Sequence, residues 1–456
     1  MELQNIAQSV IFLLFLLMTV IFSFKKLDIG AYSIIIAFVA VVFTLVWEAN
    51  VNGTPVIEAD FLKKTNFFNY QVLLFLIFME IGIMALREQR IFEWLSLKVI
   101  RVTKGRPRLF FYFMSIVTTI ISAFMEDVSL AIIIMPLVIR TCRVLEIQPK
   151  PFIIGTSFSI LLGNLLSPFA TGTNIIIASA FGLNILWYVV HFFVFLVFIE
   201  AGMLIIIDLT MLKKLDPPTE RQRIILLEIM NPNLLISEKP KFIRFLLYFV
   251  LIIVGLIFSG VNFPAFLVVM IMSVFLCLVE RTKHSLSHYF NDVDWKLMIF
   301  LVSIFLMIGC MDINGTILLI SNFIKNTTSD NVILSIIIIL VVSSLISSFI
   351  SKSLMAITFS TVLLELFGAE FSTITNPLNI PLIQSLQIMA LIIGVALGGN
   401  LIPPGATQLL KTLEIAEENY VKGFTFRYFT KFTSVFSVIC MVLGLGYLSL
   451  LLWVFG

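Results

Sequence analysis

The chain has 456 residues, 60% of them hydrophobic and only 12% charged, with 45 Phe and a net charge of +3; its mean hydropathy is +1.08. A water-soluble surface of this size needs far more charge, so most of the chain must face lipid. A soluble enzyme, a nucleic-acid binder and a disordered regulator are excluded, and the placement of charge matters more than its sum.

A single crossing needs about 20 apolar residues. Runs at 3–24, 29–47 and 67–86 predict three spans, and the first lacks a cleavage-site pattern, which makes it a true first helix. The next apolar run, 109–139, behaves differently. Before it stand Arg87, Arg90, Lys98, Arg101, Lys104, Arg106 and Arg108; after it stand Arg140, Arg143 and Lys150. Both flanks carry the cytoplasmic signature, so 109–144 is predicted to be a re-entrant hairpin. Arms of about 15 residues would each reach near the bilayer centre. A run over 151–181 follows, then a span at 187–210 and a basic cytoplasmic linker at 211–244.

Beyond the linker the pattern repeats. Spans are predicted at 245–260, 264–280 and 297–312, a second re-entrant hairpin at 331–366, a run over 385–410 and a last span at 432–455. The flanks of the second hairpin hold Lys325 alone, which puts both its ends outside. With each hairpin returning to its own side, every Lys and Arg except Lys63, Lys64, Lys325 and Lys352 falls inside, and both termini fall outside. Lys352 lies in the membrane. An integral protein of the plasma membrane is expected.

Each half thus reads as five transmembrane spans, one of them broken, plus one re-entrant hairpin, in opposite orientations: residues 1–210 and 245–456. Ile121–Ile132 aligns with Ile346–Ile357 at five identities in twelve, and Gly163–Thr171 aligns with Gly399–Thr407 at six in nine. Chance similarity among apolar segments shares Leu and Ile cheaply, but not Gly-Asn and Pro-x-Ala-Thr in the same order. Gly163-Asn164 with Pro168 and Gly172, and Gly398-Gly399-Asn400 with Pro403-Pro404-Gly405, interrupt the helices in mid-span. Unwound backbone at that depth is tolerated only where it lines an enclosed cavity, and half-helix ends supply partial charges to an ion. The expected fold class is an all-α polytopic membrane protein of two inverted repeats, the architecture of alternating-access transporters.

The hairpin tips hold the informative residues, Glu126-Asp127 and Ser351-Lys352-Ser353, with Asp127 matched to Lys352 by the repeat. Ionisable groups at the bilayer centre must pair or line a wet cavity. A structural ion pair of Asp127 with Lys352 accounts for two of them and leaves Glu126 over. Two acids and one amine can also exchange a proton for a monovalent cation. Ser129, Ser351, Ser353, Asn164, Thr171, Thr173, Asn174, Asn400, Thr407 and Gln408 are candidate neutral ligands, although helix packing accounts for each singly. A Na+ would sit at Glu126, Asp127 and Asn174. Glu80 and Glu200, within spans, are expected to snorkel toward the cytoplasmic face or to feed protons to the site. Cys142, Cys277, Cys310 and Cys440 lack CxxC spacing and read as core filler. His191, His284 and His288 form no HExxH, and no P-loop exists, so a zinc protease and an ATP-driven pump are excluded.

The residues of 67–99, the first tip with Met135-Pro-Leu, Pro151-Phe-Ile-Ile, 163–177 and Gly398-Gly-Asn through Ile415-Ala-Glu resemble the ion transporter superfamily. The similar branches are arsenite permeases, D-type Na+/H+ antiporters, the pink-eyed-dilution protein and citrate-transporter-like domains, with dicarboxylate/sodium symporters more distant. The resemblance covers nearly the whole chain. It implies an elevator-type transporter, a homodimer, a small ion as substrate, no cofactor beyond Na+ or H+ as coupling ion, and a site at the tips and broken helices. The departures are specific. Glu126-Asp127 and Ser351-Lys352 stand where these branches usually show Asp-Asn, and Leu409 stands where a second Asn would match Asn174. Lys352 resembles a built-in cation in a sodium site. Two functions stay open: a Na+ or Li+/H+ antiporter, and a permease for arsenite, a di- or tricarboxylate or another small anion.

Overall fold

The computed structural model describes residues 2–22, 29–52, 70–236, 238–259, 263–279, 286–328, 331–349, 352–374, 376–401 and 406–456. Among these, helices and short 3-10 turns are the only regular structure. The first part comprises α1 (Glu2–Phe22), α2 (Ile29–Asn52), α3 (Tyr70–Glu88), α4 (Ile91–Val102), α5 (Pro107–Ser122), α6 (Asp127–Val144), α7 (Lys150–Gly163), α8 (Gly172–Phe181) and α9 (Ile185–Thr210). A short α10 (Glu220–Ile229) lies in the linker, opened by a reciprocal capping box between Thr219 and Gln222. Then come α11 (Lys239–Ile257), α12 (Ala265–Val279), α13 (Leu286–Asp292), α14 (Trp295–Ile313), α15 (Thr316–Thr328), α16 (Val332–Phe349), α17 (Lys352–Phe367), α18 (Leu382–Gly398), α19 (Thr407–Glu418) and α20 (Phe426–Phe455).

Six of the described helices are long and apolar enough to cross a membrane alone, among them α3, α9, α11, α14 and α20. Their lipid-side character is visible in exposed Phe193, Phe198, Leu209, Val442 and Trp453. Several sequence-derived boundaries shift. The hairpin arms α5 and α6 hold 16 and 18 residues; at 1.5 Å per residue that is about 25 Å, most of the hydrocarbon thickness rather than half. The flanks expected to be loops contain α4 and α15, short amphipathic helices whose buried stripes include Phe92 and Ile100, and Ile317 and Ile324. The second broken run ends at Glu418, well past residue 410, because α19 replaces a uniformly apolar surface with a one-sided one.

The packing is reciprocal between the two parts. Arm α5 lies on α7, and arm α16 lies on α18. The second arms cross over: α6 packs on α19, and α17 packs on α8. Likewise α3 packs on α12, and α14 packs on α2. Polar bonds fix these contacts, with Ser273 Oγ donating to Phe78 O at 2.7 Å and Asn314 Nδ2 donating to Thr44 Oγ1 at 3.1 Å. The arm-to-broken-helix contacts are close because glycine lets backbones approach. A Cβ on Gly163 would overlap Ser122 and the Thr119 carbonyl; one on Gly398 would overlap the Ser344 backbone. The helices starting at Tyr70, Ile91, Pro107 and Asp127 are spaced identically to those starting at Trp295, Thr316, Val332 and Lys352. All four cysteines are buried free thiols.

Candidate functional site

The first tip is the turn between α5 and α6. Glu126 is the N-cap of α6, and its Oε2 accepts from Ser129 N at 3.4 Å and Ser129 Oγ at 3.1 Å. Asp127 Oδ1 accepts from Val128 N at 3.0 Å. Both carboxylates therefore sit at the positive end of a helix, where negative charge is stabilised. Glu126 remains solvent-accessible, and Asp127 is half-buried. Glu80, on α3, lies close enough for its charge to act on Glu126, and its Oε2 accepts from Asp294 N at 3.3 Å.

At the second tip Lys352 opens α17, and Ser353 follows it, half-buried; Ser351 lies outside the described residues. A cation at a helix N-terminus is unfavourable unless it is compensated. Lys352 Nζ donates to Oδ1 of the buried Asn400 at 3.0 Å, and its aliphatic stem runs against Gly399. The charges of Lys352 and Asp127 act on each other, but the ion pairs among the described residues do not include these two. The two tips face each other electrostatically without a direct bond.

The first break is built by its own asparagines. Asn174 Nδ2 donates to Asn164 O at 2.6 Å and to Ser167 O at 3.1 Å, filling carbonyls freed by the unwinding at 164–171. Thr171 caps α8 by accepting from Asn174 N at 3.2 Å, and the buried Thr173 lies in its first turn. With its amide nitrogen as donor, Asn164 bonds Ser122 O at 3.1 Å and Ile160 O at 3.2 Å, joining the break to the first arm. A Na+ shared by Glu126, Asp127 and Asn174 would have only Asn174 Oδ1 to draw on from that residue. In the second break Pro403-Pro404-Gly405 lie outside the described residues. Thr407 starts α19 exposed; the fully buried Gln408 donates to Ser157 Oγ at 3.0 Å and to Thr412 Oγ1 at 3.3 Å, tying α19 to α7.

Glu200 corrects the snorkelling expectation. It is 6% exposed, and its Oε1 accepts from Ser159 Oγ at 2.8 Å and Thr119 Oγ1 at 3.0 Å. It is seated between α9, α7 and the first arm rather than stretched to the surface. The signal was present in the buried hydroxyl residues of the two helices, Ser115, Thr118, Thr119 and Ser122 on α5 and Thr156, Ser157 and Ser159 on α7.

Two cavities flank the tips' second arms. One, about 750 Å³, is lined by Arg87, Glu88, Glu93, Pro136, Arg140 and Asp292 among others. The other, about 800 Å³, is lined by residues of α8, α14 and α17.

With two opposed tips, two interrupted helices and charged groups held between them, the chain can be set beside known proteins. Residues 13–383 match the family described as citrate transporter (CitMHS). The chain belongs to this family. It is similar to a 46 kDa membrane protein of Mycobacterium leprae, 23% identical over 80% of this chain and 82% of that one. It is also similar to an uncharacterized transporter of Mycobacterium tuberculosis, 23% identical over 89% of this chain and 92% of the relative. The human P protein matches over a shorter stretch, 24% identical across 28% of this chain and 16% of its own length. Among solved structures, the Alcanivorax borkumensis YdaH transporter superposes with a TM-score of 0.55 at 10% identity, covering 92% of this chain and 98% of that one. That likeness concerns the fold. The protein is an integral membrane transporter of the citrate transporter family, with an all-helical polytopic fold.

Proposed function

We propose that the protein is a secondary active transporter that exchanges Na+ or Li+ for H+ at the hairpin tips. The observation that carries this reading is the excess of acid over base there: Glu80, Glu126 and Asp127 against Lys352, whose amine bonds the neutral Asn400. Carboxylates in competition for a proton and a monovalent cation give obligatory exchange. In this reading Glu126 and Asp127 bind the ion, Ser129, Asn174, Ser351 and Ser353 offer neutral oxygens, and Lys352 stands in for a second cation by holding Asp127.

The transport cycle is alternating access by two inverted repeats, with α5–α8 and α16–α19 moving as one body against α1–α3 and α11–α14. Reciprocal packing of the second arms and the identical helix spacing in the two parts support it. Basic flanks inside, both termini outside, a plasma-membrane location and a homodimer complete the reading.

A second reading is favoured by the family's name and by the N-termini of α8, α17 and α19, each suited to an anion. There a carboxylate, arsenite or another small anion binds Lys352, and Glu126 carries the coupling proton. Purified protein in proteoliposomes with an imposed pH gradient separates the two. Addition of Na+ or Li+ is expected to move protons, and Asp127→Asn is expected to abolish the response. Silence with cations and a response to citrate or arsenite would replace the first reading with the second.

A further inference from the structure

The short helix α4 turns a mixed face outward. Trp94, Lys98, Arg101 and Val102 stand at i, i+4, i+7 and i+8, so they share one side of it, opposite the buried Phe92 and Ile100. Lys98 and Arg101 are exposed, and Val102 is 61% exposed. The Lys98 ammonium lies over the Trp94 ring, 4.6 Å from its centroid. Trp94 in turn meets Phe242 of α11 edge-on, with ring centroids 5.3 Å apart.

The linker extends this face. Arg101 Nη1 donates to Asn231 Oδ1 at 3.5 Å, and the 3-10 turn Pro232–Leu235 packs on α4 with Leu234 77% exposed. At the start of α11, Lys239 is exposed, Lys241 Nζ lies 6.0 Å from the Phe245 ring centroid, and Ile243 is 62% exposed. Segments far apart in sequence thus build one surface of cations, aromatic rings and bare aliphatic side chains. Water does not suit the aliphatic groups, and acyl chains do not suit the cations. The headgroup layer suits both, with apolar groups and lysine stems directed to the acyl boundary and the charges to phosphate. Acids beside it are fewer: Glu93 is engaged by Arg90 at 3.9 Å, which leaves Glu238 against Lys98, Arg101, Lys239 and Lys241. The surplus is positive and complements an anionic headgroup rather than a zwitterionic one.

We infer that the face formed by α4, the 232–235 turn and the start of α11 binds the headgroup of an anionic phospholipid. Lys98, Arg101, Lys239 and Lys241 are its phosphate partners. A lipid bound there ties α4, which joins α3 to the first hairpin arm, to α11. The site is separate from Glu126, Asp127 and Lys352, and it holds whether the transported ion is a cation or an anion. Only its consequence for transport rests on the proposed cycle, in which α3 and α11 belong to one body and the first arm to the other.

Purified full-length protein in neutral detergent tests this without transport. Thermal unfolding would be followed while phosphatidylglycerol or phosphatidylcholine is titrated in, at ionic strength held constant with choline chloride. Wild type is expected to gain stability with phosphatidylglycerol and far less with phosphatidylcholine. The half-saturating concentration is expected to rise about fivefold in Lys98→Gln or Lys241→Gln and about tenfold or more in the double variant. Lys325→Gln, a lysine outside this face, and Asp127→Asn are expected to respond as wild type. Should the double variant elute as aggregate, the single variants carry the comparison. An equal gain with both lipids, or an equal phosphatidylglycerol response in all variants, would overturn the site. So would a response to inorganic phosphate alone that the double variant loses, which would make it a free-anion site. A double variant with altered oligomer mass and an intact lipid response would make the face an interface between copies of the chain and overturn the lipid site as well.

Discussion

Lys352 reaches Asn400 across Gly399: its Nζ donates to Asn400 Oδ1 at 3.0 Å while its stem fills the space where a side chain at Gly399 would begin. The hairpin tip and the second broken helix are therefore locked by one amine, one amide and one missing methyl. Gly399→Ala is expected to push Lys352 off Asn400 and to destabilise the protein by about 1–3 kcal/mol through overpacking. Lys352→Ala in the same chain removes the stem and should recover most of that loss, giving strong coupling in a double-mutant cycle of unfolding free energies. Additive effects would mean that the stem does not occupy this space.

Asn174 should prove structural as much as functional. Its amide nitrogen serves two backbone carbonyls of the break, Asn164 O and Ser167 O. Asn174→Asp keeps the shape but cannot donate, and leaves both carbonyls unpaired. A loss of about 1–3 kcal/mol per orphaned group is expected in Asn174→Asp and Asn174→Ala alike. Wild-type melting of Asn174→Asp would show that the two bonds to Asn164 O and Ser167 O carry no structural duty.

Much of this was legible in the sequence, and the reasons are physical. Gly163-Asn164 and Gly399-Asn400 mark the breaks because helices rarely tolerate glycine beside proline in lipid unless a cavity re-satisfies the backbone. Charge at the tips was visible because ionisable residues in apolar runs are rare. What stayed hidden depends on three-dimensional register. The basic residues of 87–108 read as a loop by charge alone, although α4 itself holds only two of them, Lys98 and Arg101. Nothing local says that Lys352 bonds Asn400 rather than Asp127, or that Gln408 turns toward Ser157. Those choices follow from the crossing of α6 onto α19 and α17 onto α8.

Glu200 distinguishes shape from charge. Its Oε1 accepts from two hydroxyls, and Gln presents the same acceptor. Glu200→Gln is expected to melt near the wild type, whereas Glu200→Leu leaves Ser159 Oγ without its partner and costs about 1–3 kcal/mol; Thr119 Oγ1 keeps Ser115 O and Ser159 O as acceptors. Exchange measured on Glu200→Gln then reports on the charge alone. Full activity assigns Glu200 to architecture; lost coupling with an unchanged melt assigns it to proton movement.

Lys352→Asn tests the idea of a built-in cation most directly. Asparagine cannot supply charge, and it restores the residue that the resembling branches carry at this tip. Asp127 then loses the positive charge acting on it, and the site has room and need for a second small cation. The expected result in proteoliposomes is a changed coupling: a new or steeper dependence on Na+, or a different number of ions exchanged per cycle. Stability should change less than in Gly399→Ala, because the shorter asparagine side chain leaves space beside Gly399 rather than overlapping it. Unaltered coupling would show that Lys352 does not act as a surrogate ion, and would leave its bond to Asn400 as a strut between the tip and the broken helix.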